Sequence, residues 1–263
     1  MTRLRVDHVS IAVQSIDRAL EFFLDRFPAR ANEPKQDGYD SFRWADFLIG
    51  DFKIELIESA GAGSFVERFL AKHGEGFHHL SCEVDALDPL AERLERDGVR
   101  IVDRFDAGEG RKTAFVHPKS GFGTLIQFWQ TPEMKHGPIV PSWGGHVEKN
   151  GTPWLVDHLS IALRSLAPAM RFFERHFDAR IEHPVHDGYD GTFRLTQMKI
   201  GDYRLELMEN ASEGGFLGRF LARHGEGMHH LSIDVLDLDA AIEPFERAGA
   251  RIVDRLDFAP GWR

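Results

Sequence analysis

Apolar residues recur with two different periods along the first sixty residues, which predicts both strands and a helix. Residues 6–13 are rich in β-branched side chains and predict a strand. Ser15 then stands at an N-cap position, before an apolar stripe with helical spacing: Ile16, Ala19, Leu20, Phe22 and Phe23. Two more strands are predicted at 42–49 and 52–58, joined by a turn at Gly50-Asp51.

The next seventy residues continue in the same manner. A helix is predicted near 64–73 and ends before Gly74. The elements predicted after it are a strand at 77–84, a helix at 87–97, a strand at 99–104 and a hairpin formed by 112–117 and 123–129. The order is that of a βαβββ unit occurring twice, with one extra helix at 64–73.

The whole pattern returns later in the chain, which indicates a tandem duplication. Residues 64–76 match 215–227 almost position for position, and 100–104 match 251–255, an offset of about 150 residues. A stretch rich in Pro, Gly and polar residues separates the copies. We therefore predict an α+β protein with a complete module at 1–131, a linker at 132–153 and a second module at 154–263.

The second copy stops short of the first. Module one continues past Asp103-Arg104 into its last hairpin, whereas the sequence of module two reaches only Arg263. We expect the second module to lack its last two strands. Because an unpaired sheet edge favours association, the chain is expected to be a fragment or to have this edge covered by a partner, for example in a homodimer.

Composition narrows the function classes. A formal net charge of −10 argues against a nucleic-acid or anionic-membrane partner, since both need concentrated Lys and Arg. The single cysteine, Cys82, excludes an internal disulfide and fits a reducing compartment. No apolar run has the length of a signal peptide or a membrane span. The expectation is a cytoplasmic protein with a small-molecule partner.

One histidine recurs at the same place in four predicted strands: His8, His79, His158 and His230. Because side chains alternate along a strand, Glu55 and Gln127 fall on defined faces of their own strands. If the strands curve around a common cup, His8, Glu55, His79 and Gln127 converge there. Two imidazoles with two oxygen donors suit a divalent ion such as Zn, Fe, Mn, Co or Ni.

Three segments resemble the vicinal oxygen chelate superfamily, and within it methylmalonyl-CoA epimerase. They are Asp7-His8-Val9-Ser10-Ile11-Ala12-Val13, His73-Gly74-Glu75-Gly76-Phe77-His78-His79-Leu80 and Phe115-Val116-His117-Pro118-Lys119-Ser120. The Gly-x-His-His and His-Pro-Lys-Ser elements are fairly specific to that branch. The resemblance covers module one and most of module two, and it implies modules whose sheets curl around a metal.

The resemblance also implies a ligand set. The family's histidine ligands fall on His8 and His79, its fourth-strand ligand on Glu55 and its last-strand ligand on Gln127, where the family usually has Glu. The equivalents in module two are His158, Glu206 and His230. The epimerase's glutamate on the third strand has no clear match between Asp40 and Leu48.

Further candidates lie around the predicted cup. Glu83 shares the parity of His79 and is a candidate proton carrier or, alternatively, an exposed strand end. Arg111, His117 and Lys119 are predicted to cluster near the mouth of the cup, either to bind a carboxylate, thioester or phosphate or as a solvated hairpin. The sequence does not identify the general base.

We therefore predict a metal-dependent isomerase or lyase of the glyoxalase and epimerase type. It would stabilise the enolate of a small carbonyl or acyl-thioester substrate. Two alternatives stay open. One is a non-haem Fe(II) dioxygenase of the extradiol or hydroxyphenylpyruvate type that uses His158 and His230. The other is a non-catalytic small-molecule binding protein.

Overall fold

The chain builds two β-sheets, one from each copy of the repeat. The computed structural model describes residues 2–38, 41–132, 147–149, 152–201, 203–212 and 214–256. The elements of the first module are β1 (Leu4–Ala12), α1 (Ile16–Arg26), β2 (Ala29–Asp37), β3 (Phe42–Ile49), β4 (Phe52–Ser59), α2 (Phe65–His73), β5 (Gly76–Val84), α3 (Leu87–Arg96), β6 (Ile101–Gly108), β7 (Arg111–Val116) and β8 (Leu125–Gln130).

The second module repeats this order as far as its third helix. Its elements are β9 (Val147–Lys149), β10 (Thr152–Leu163), α4 (Leu166–Phe177), β11 (Arg180–Asp187), β12 (Phe193–Ile200), β13 (Tyr203–Asn210), α5 (Phe216–His224), β14 (Gly227–Val235) and α6 (Leu238–Arg247). No helix among the elements named here is both long and apolar enough to cross a membrane.

The strand order confirms the paired βαβββ units. The first sheet runs β2-β3-β4-β1-β5-β8-β7-β6, so each unit contributes four neighbouring strands and the units meet where β1 pairs antiparallel with β5. Within each unit the first strand pairs parallel with the last, β1 with β4 and β5 with β8. The second sheet runs β11-β12-β13-β10-β14, with β9 paired to β10.

Local sequence sets the helix boundaries as predicted. The Ser15 hydroxyl accepts a hydrogen bond from the Arg18 N–H at 3.3 Å, and the Ser64 hydroxyl accepts one from the Glu67 N–H at 3.0 Å. Each bond satisfies one of the N–H groups that a helix leaves unpaired in its first turn. These caps fix where α1 and α2 leave the sheet.

One apolar core runs through both modules. The ring of Phe128, 1% exposed, lies 5.6 Å from that of Phe177 on α4, and Phe52 stacks on Tyr203 at 5.8 Å. An ion pair between Arg175 and Asp97, with an N–O distance of 2.6 Å, adds a polar contact between the modules. The two copies therefore fold against each other.

Three local predictions differ from the structure. Strand β2 was not predicted, because its sequence is mostly polar and it lies exposed at the edge of the sheet. Residues 251–255 were matched to β6 but form no strand. The predicted linker at 132–153 contains β9 and the start of β10, although most of it falls outside the described residues. The domain boundaries stay a prediction.

Candidate metal centres

Three neighbouring strands bring the first set of predicted ligands together. Because β1 lies between β4 and β5, Ser10 pairs with Glu55 on one side and with His79 on the other. One donor atom each from His8, Glu55 and His79 lies within 4.8 Å of the other two. The Glu55 Oε1 atom is 3.7 Å from His8 Nε2 and 3.8 Å from His79 Nε2.

The second module repeats the arrangement with His158, Glu206 and His230. The two Nε2 atoms are 3.4 Å apart, and Glu206 Oε1 lies 3.5 Å from His158 Nε2 and 3.8 Å from His230 Nε2. A triangle with these edges contains a point about 2.1 Å from every corner, which matches the bonds of zinc to imidazole nitrogen and carboxylate oxygen.

A β-bulge precedes the first histidine of each set. In the β1–β5 ladder, Val6 pairs with Cys82 and His8 with Ser81, so Asp7 is left without a partner strand residue. Such an extra residue disturbs the strict alternation of side chains. Instead of pointing away from His8, the Asp7 carboxylate accepts a hydrogen bond from His8 Nδ1 at 2.7 Å. Asp157 does the same for His158 at 2.6 Å.

The second histidine of each set is also preceded by a bulge residue. The ladder skips His78 in β5 and His229 in β14. The Nδ1 atom of His78 lies 2.9 Å from Nδ1 of His79, and that of His229 lies 2.8 Å from Nδ1 of His230. All four candidate histidine ligands thus have their Nδ1 engaged by the preceding residue, which turns Nε2 toward the centre. The residues that precede the histidine ligands form a second layer behind them. This layer was not predicted, because strand alternation places these residues on the opposite face of the sheet.

Basic side chains complete the second layer. Lys53 lies 2.5 Å from Asp7, while Asp157 pairs with Arg204, which in turn binds Glu182. Burial raises the pKa of Asp7, but the hydrogen bond and charge of His8, followed by the charge of Lys53, outweigh it and hold that pKa well below its usual range. Asp7 is therefore ionised near neutral pH and can keep a proton on Nδ1 of His8.

Burial favours the neutral form of His79 and His230, the form in which an imidazole binds a metal. It is the main cause that keeps the pKa of His79 well below its usual range, with the charges of His78 and His8 adding to it. Burial also lowers the pKa of His230 to about 4. At His158 burial is outweighed by hydrogen bonds to Asp157 and Glu206, which raise the pKa to about 9.

The first centre passes a direct test of fit to a cation. The Nε2 atoms of His8 and His79 are buried and lack a hydrogen-bond partner. Leaving a buried nitrogen unsatisfied costs about 1–3 kcal/mol, and both atoms face Glu55 Oε1. A divalent ion at this point would satisfy both nitrogens and the carboxylate.

The fourth predicted ligand, Gln127, is differently engaged. Its Oε1 accepts a hydrogen bond from the Ser81 hydroxyl at 2.8 Å, and its Nε2 donates to the Thr113 hydroxyl at 3.4 Å. The amide lies beside the centre, since Gln127 also contacts His79. Gln127 as a ligand therefore stays a prediction: its oxygen accepts a hydrogen bond from Ser81, and its side chain lies next to that of His79.

A buried acid missed by the sequence reasoning lies next to the first centre. Asp46, 5% exposed, is the direct cross-strand partner of Glu55 in the β3–β4 ladder. Directly paired residues share one face of a sheet, with Cβ atoms about 5 Å apart. Asn32 Nδ2 donates to Asp46 Oδ1 at 3.0 Å. In module two the same position, opposite Glu206, is held by Gln197.

Glu83 was predicted either as a proton carrier or as an exposed strand end; the exposed strand end is wrong, and the proton carrier stays a prediction. The side chain is 2% exposed, forms an ion pair with Arg5 and accepts a hydrogen bond from the Thr131 hydroxyl at 2.7 Å. It lies four residues beyond His79 on the same strand, a separation of about 13 Å. Its role is to hold β1, β5 and the end of the module together.

The predicted basic cluster is divided by a strand. Arg111 begins β7, whereas His117 follows its end, a separation of about 20 Å. His117 and Lys119 stay together, because the Lys119 N–H donates to His117 Nδ1 at 3.0 Å. The clustering of all three is wrong for Arg111, and substrate binding by any of them stays a prediction.

The fold and the repeated centres define a chain of the Glyoxalase/Bleomycin resistance protein/Dioxygenase superfamily. The family's model matches residues 7–115 and again 157–263, so the chain belongs to this superfamily as a tandem of two copies.

Named relatives each match about half of the chain. The uncharacterized protein YqjC of Bacillus subtilis is 31% identical over 134 residues, 50% of this chain and 96% of the relative. An ethylmalonyl-CoA/methylmalonyl-CoA epimerase of Cereibacter sphaeroides is 28% identical over 130 residues, 48% of this chain and 97% of the relative. The crystal structure of methylmalonyl-CoA epimerase from Mycobacterium tuberculosis is 29% identical, covers 48% of this chain and 87% of its own, and has a TM-score of 0.44.

Proposed function

We propose that module one is a metal-dependent isomerase centre that removes and returns the proton next to the carbonyl of an acyl thioester. The observation that carries this proposal is the position of Asp46, a buried acid directly across the ladder from Glu55. Proton abstraction next to a carbonyl needs a base and an electrophile side by side. His8, Glu55 and His79 would hold the electrophile, and Asp46 supplies the base.

The residues have separate tasks in this scheme. A divalent ion bound by His8, Glu55 and His79 would polarise two substrate oxygens as a Lewis acid. The Asp46 carboxylate takes the proton from the carbon, and the electron pair of the C–H bond passes to the carbonyl oxygen as the enolate forms. Asn32 orients the carboxylate through Oδ1. Return of a proton to the carbon completes the exchange with no net change in oxidation state.

The substrate class comes from the relatives. Two of them are named as methylmalonyl-CoA or ethylmalonyl-CoA epimerases. A 2-alkylmalonyl thioester offers a thioester oxygen and a carboxylate oxygen to one cation, and the carbon between them carries an acidic proton. We therefore propose this class as the substrate of module one.

Deuterium exchange tests the proposal. The protein, loaded with Co²⁺, is incubated with methylmalonyl-CoA in D₂O, and incorporation at the carbon between the carbonyls is followed by mass spectrometry. D46N is expected to slow incorporation by about 10²–10⁴-fold, the usual contribution of a general base. D46E should retain part of the rate. The matched control is D37N, at the exposed end of β2.

The proposal fails if D46N exchanges as fast as the unaltered protein. It also fails if the cobalt-loaded protein incorporates no deuterium at the carbon between the carbonyls. Consumption of O₂ by an iron-loaded protein would favour the dioxygenase alternative, which the same donor set of two histidines and a carboxylate allows.

A further inference from the structure

We infer that module two is a second divalent-metal centre that binds its ion without catalysing proton abstraction. The inference extends the proposed function and rests on it, because the second centre is called inactive by comparison with an active first centre. It concerns His158, Glu206 and His230, together with the residue that stands opposite Glu206.

The second centre has the same set of three donors as the first. Its three donor atoms form a triangle with edges of 3.4, 3.5 and 3.8 Å, the size expected around one cation. The Ser160 hydroxyl donates to Glu206 Oε1 at 3.0 Å, so the carboxylate is held in place. Behind the imidazoles, Asp157, Arg204 and Glu182 form a chain of ion pairs. Such second-layer partners typically raise metal affinity about 10–100-fold.

The chemistry of the two centres differs at one ladder position. Asp46 faces Glu55 in module one, and Gln197 faces Glu206 in module two. A glutamine side chain has the shape of a glutamate but cannot accept a proton near neutral pH. An ion in module two could therefore bind and polarise oxygen ligands, while the base that module one offers is replaced by an amide.

A cobalt titration of the full chain tests metal binding without reference to activity. Metal-free protein is titrated with Co²⁺ by calorimetry and visible absorption. The unaltered chain should bind two ions, and H158A and E206A should each lower the count by one. The control is H183A, an exposed histidine of β11, which should leave two. Folding of every variant is checked by circular dichroism. A cobalt count that H158A and E206A leave unchanged would overturn the second centre.

The absence of catalysis at the second centre is tested in protein whose first centre has been removed by mutation. H8A should hold one ion and exchange deuterium only at the background rate of substrate without protein. The double variant H8A/Q197D should exceed that background by about 10²-fold or more, the lower end of general-base effects. Exchange by H8A at half the normal rate, or no gain on adding Q197D, would overturn the role of Gln197. If the unaltered protein shows no exchange, the proposed function fails, yet the cobalt count still decides the metal site.

Discussion

A Cβ atom on Gly123 would lie 1.6 Å from the backbone oxygen of Glu226, so the two modules touch main chain against main chain. Gly123 also has φ = +75°, a region that other residues rarely adopt. The contact joins the loop before β8 to the turn between α5 and β14. Because backbone meets backbone at Gly123 and Glu226, a shift of one module at this point requires a shift of the other.

This contact predicts an unequal pair of glycine substitutions. Gly63 has φ = +81° and open space around it, so G63A should cost only the backbone strain, about 1–2 kcal/mol. G123A adds a clash with backbone and should lower the free energy of unfolding by at least about 2 kcal/mol more. Urea unfolding followed by circular dichroism measures both. Equal losses for the two variants would contradict the contact.

The bulge residue Asp7 should control metal affinity without touching the metal. D7N removes the charge that keeps the proton on Nδ1 of His8. The dissociation constant for Co²⁺ at the first centre should therefore rise about 10–100-fold. Competition with a chromogenic chelator gives the constant, and D37N serves again as the control. An unchanged constant would show that His8 is oriented by the strand alone.

The ion-pair chain behind His158 predicts a stability that depends on pH. Hydrogen bonds from Arg204 and then Lys199 lower the pKa of Glu182 from 4.5 to about 2, against the effect of burial. A pKa lower in the folded than in the unfolded protein stabilises the fold above pH 4.5, and this contribution fades as the pH falls toward 2. The stability difference between the unaltered protein and E182Q should shrink by about 1–3 kcal/mol from pH 6 to pH 3.

Denaturant unfolding at several pH values measures that difference. E174Q, on the exposed face of α4, is the control and should track the unaltered protein. A difference between the unaltered protein and E182Q that stays constant with pH would show that Arg204 does not act through the charge of Glu182.

The shared core predicts that the modules unfold together. F177A removes a ring that is 3% exposed and packs on Phe128 in the other module, and it should cost about 3–5 kcal/mol. Hydrogen exchange should show β1 and β10 losing protection to the same extent. F105A, which alters a ring that is 49% exposed, should have little effect. Loss of protection confined to β10 would mean that the core is divided.

The repeat, the element order and the three-donor sets could be predicted because they follow from period and parity. His8, Glu55 and His79 lie on the faces that alternation assigns to them. Strand β2 could not be predicted, since Ala29-Arg30-Ala31-Asn32 begins a segment with too few apolar residues to show a strand period. An edge strand needs only one partner, so its sequence is weakly constrained.

The second layer of the centres could not be predicted from the alternation of side chains along a strand, for a physical reason. A bulge inserts one residue into a strand, so that the residues after it point to the opposite face of the sheet from the one alternation predicts. The sequence Val6-Asp7-His8 contains no signal for such a bulge. Asp46 was missed because Ala45-Asp46-Phe47 reads as part of an apolar strand, and because an aspartate stands where a glutamate was sought. The cross-strand pairing with Glu55, a long-range relationship, is what reveals it.

The apolar core that the modules share also bears on how the two copies can diverge. Leu159, Leu205 and Phe173 of module two are packed in the same core as Val9, Ile54 and Phe47 of module one. Selection for a folded chain therefore preserves the second copy whether or not it performs a reaction. Under that protection, the residue opposite Glu206 can change without loss of the fold, and a duplicated chain gains a spare scaffold on which new chemistry can arise.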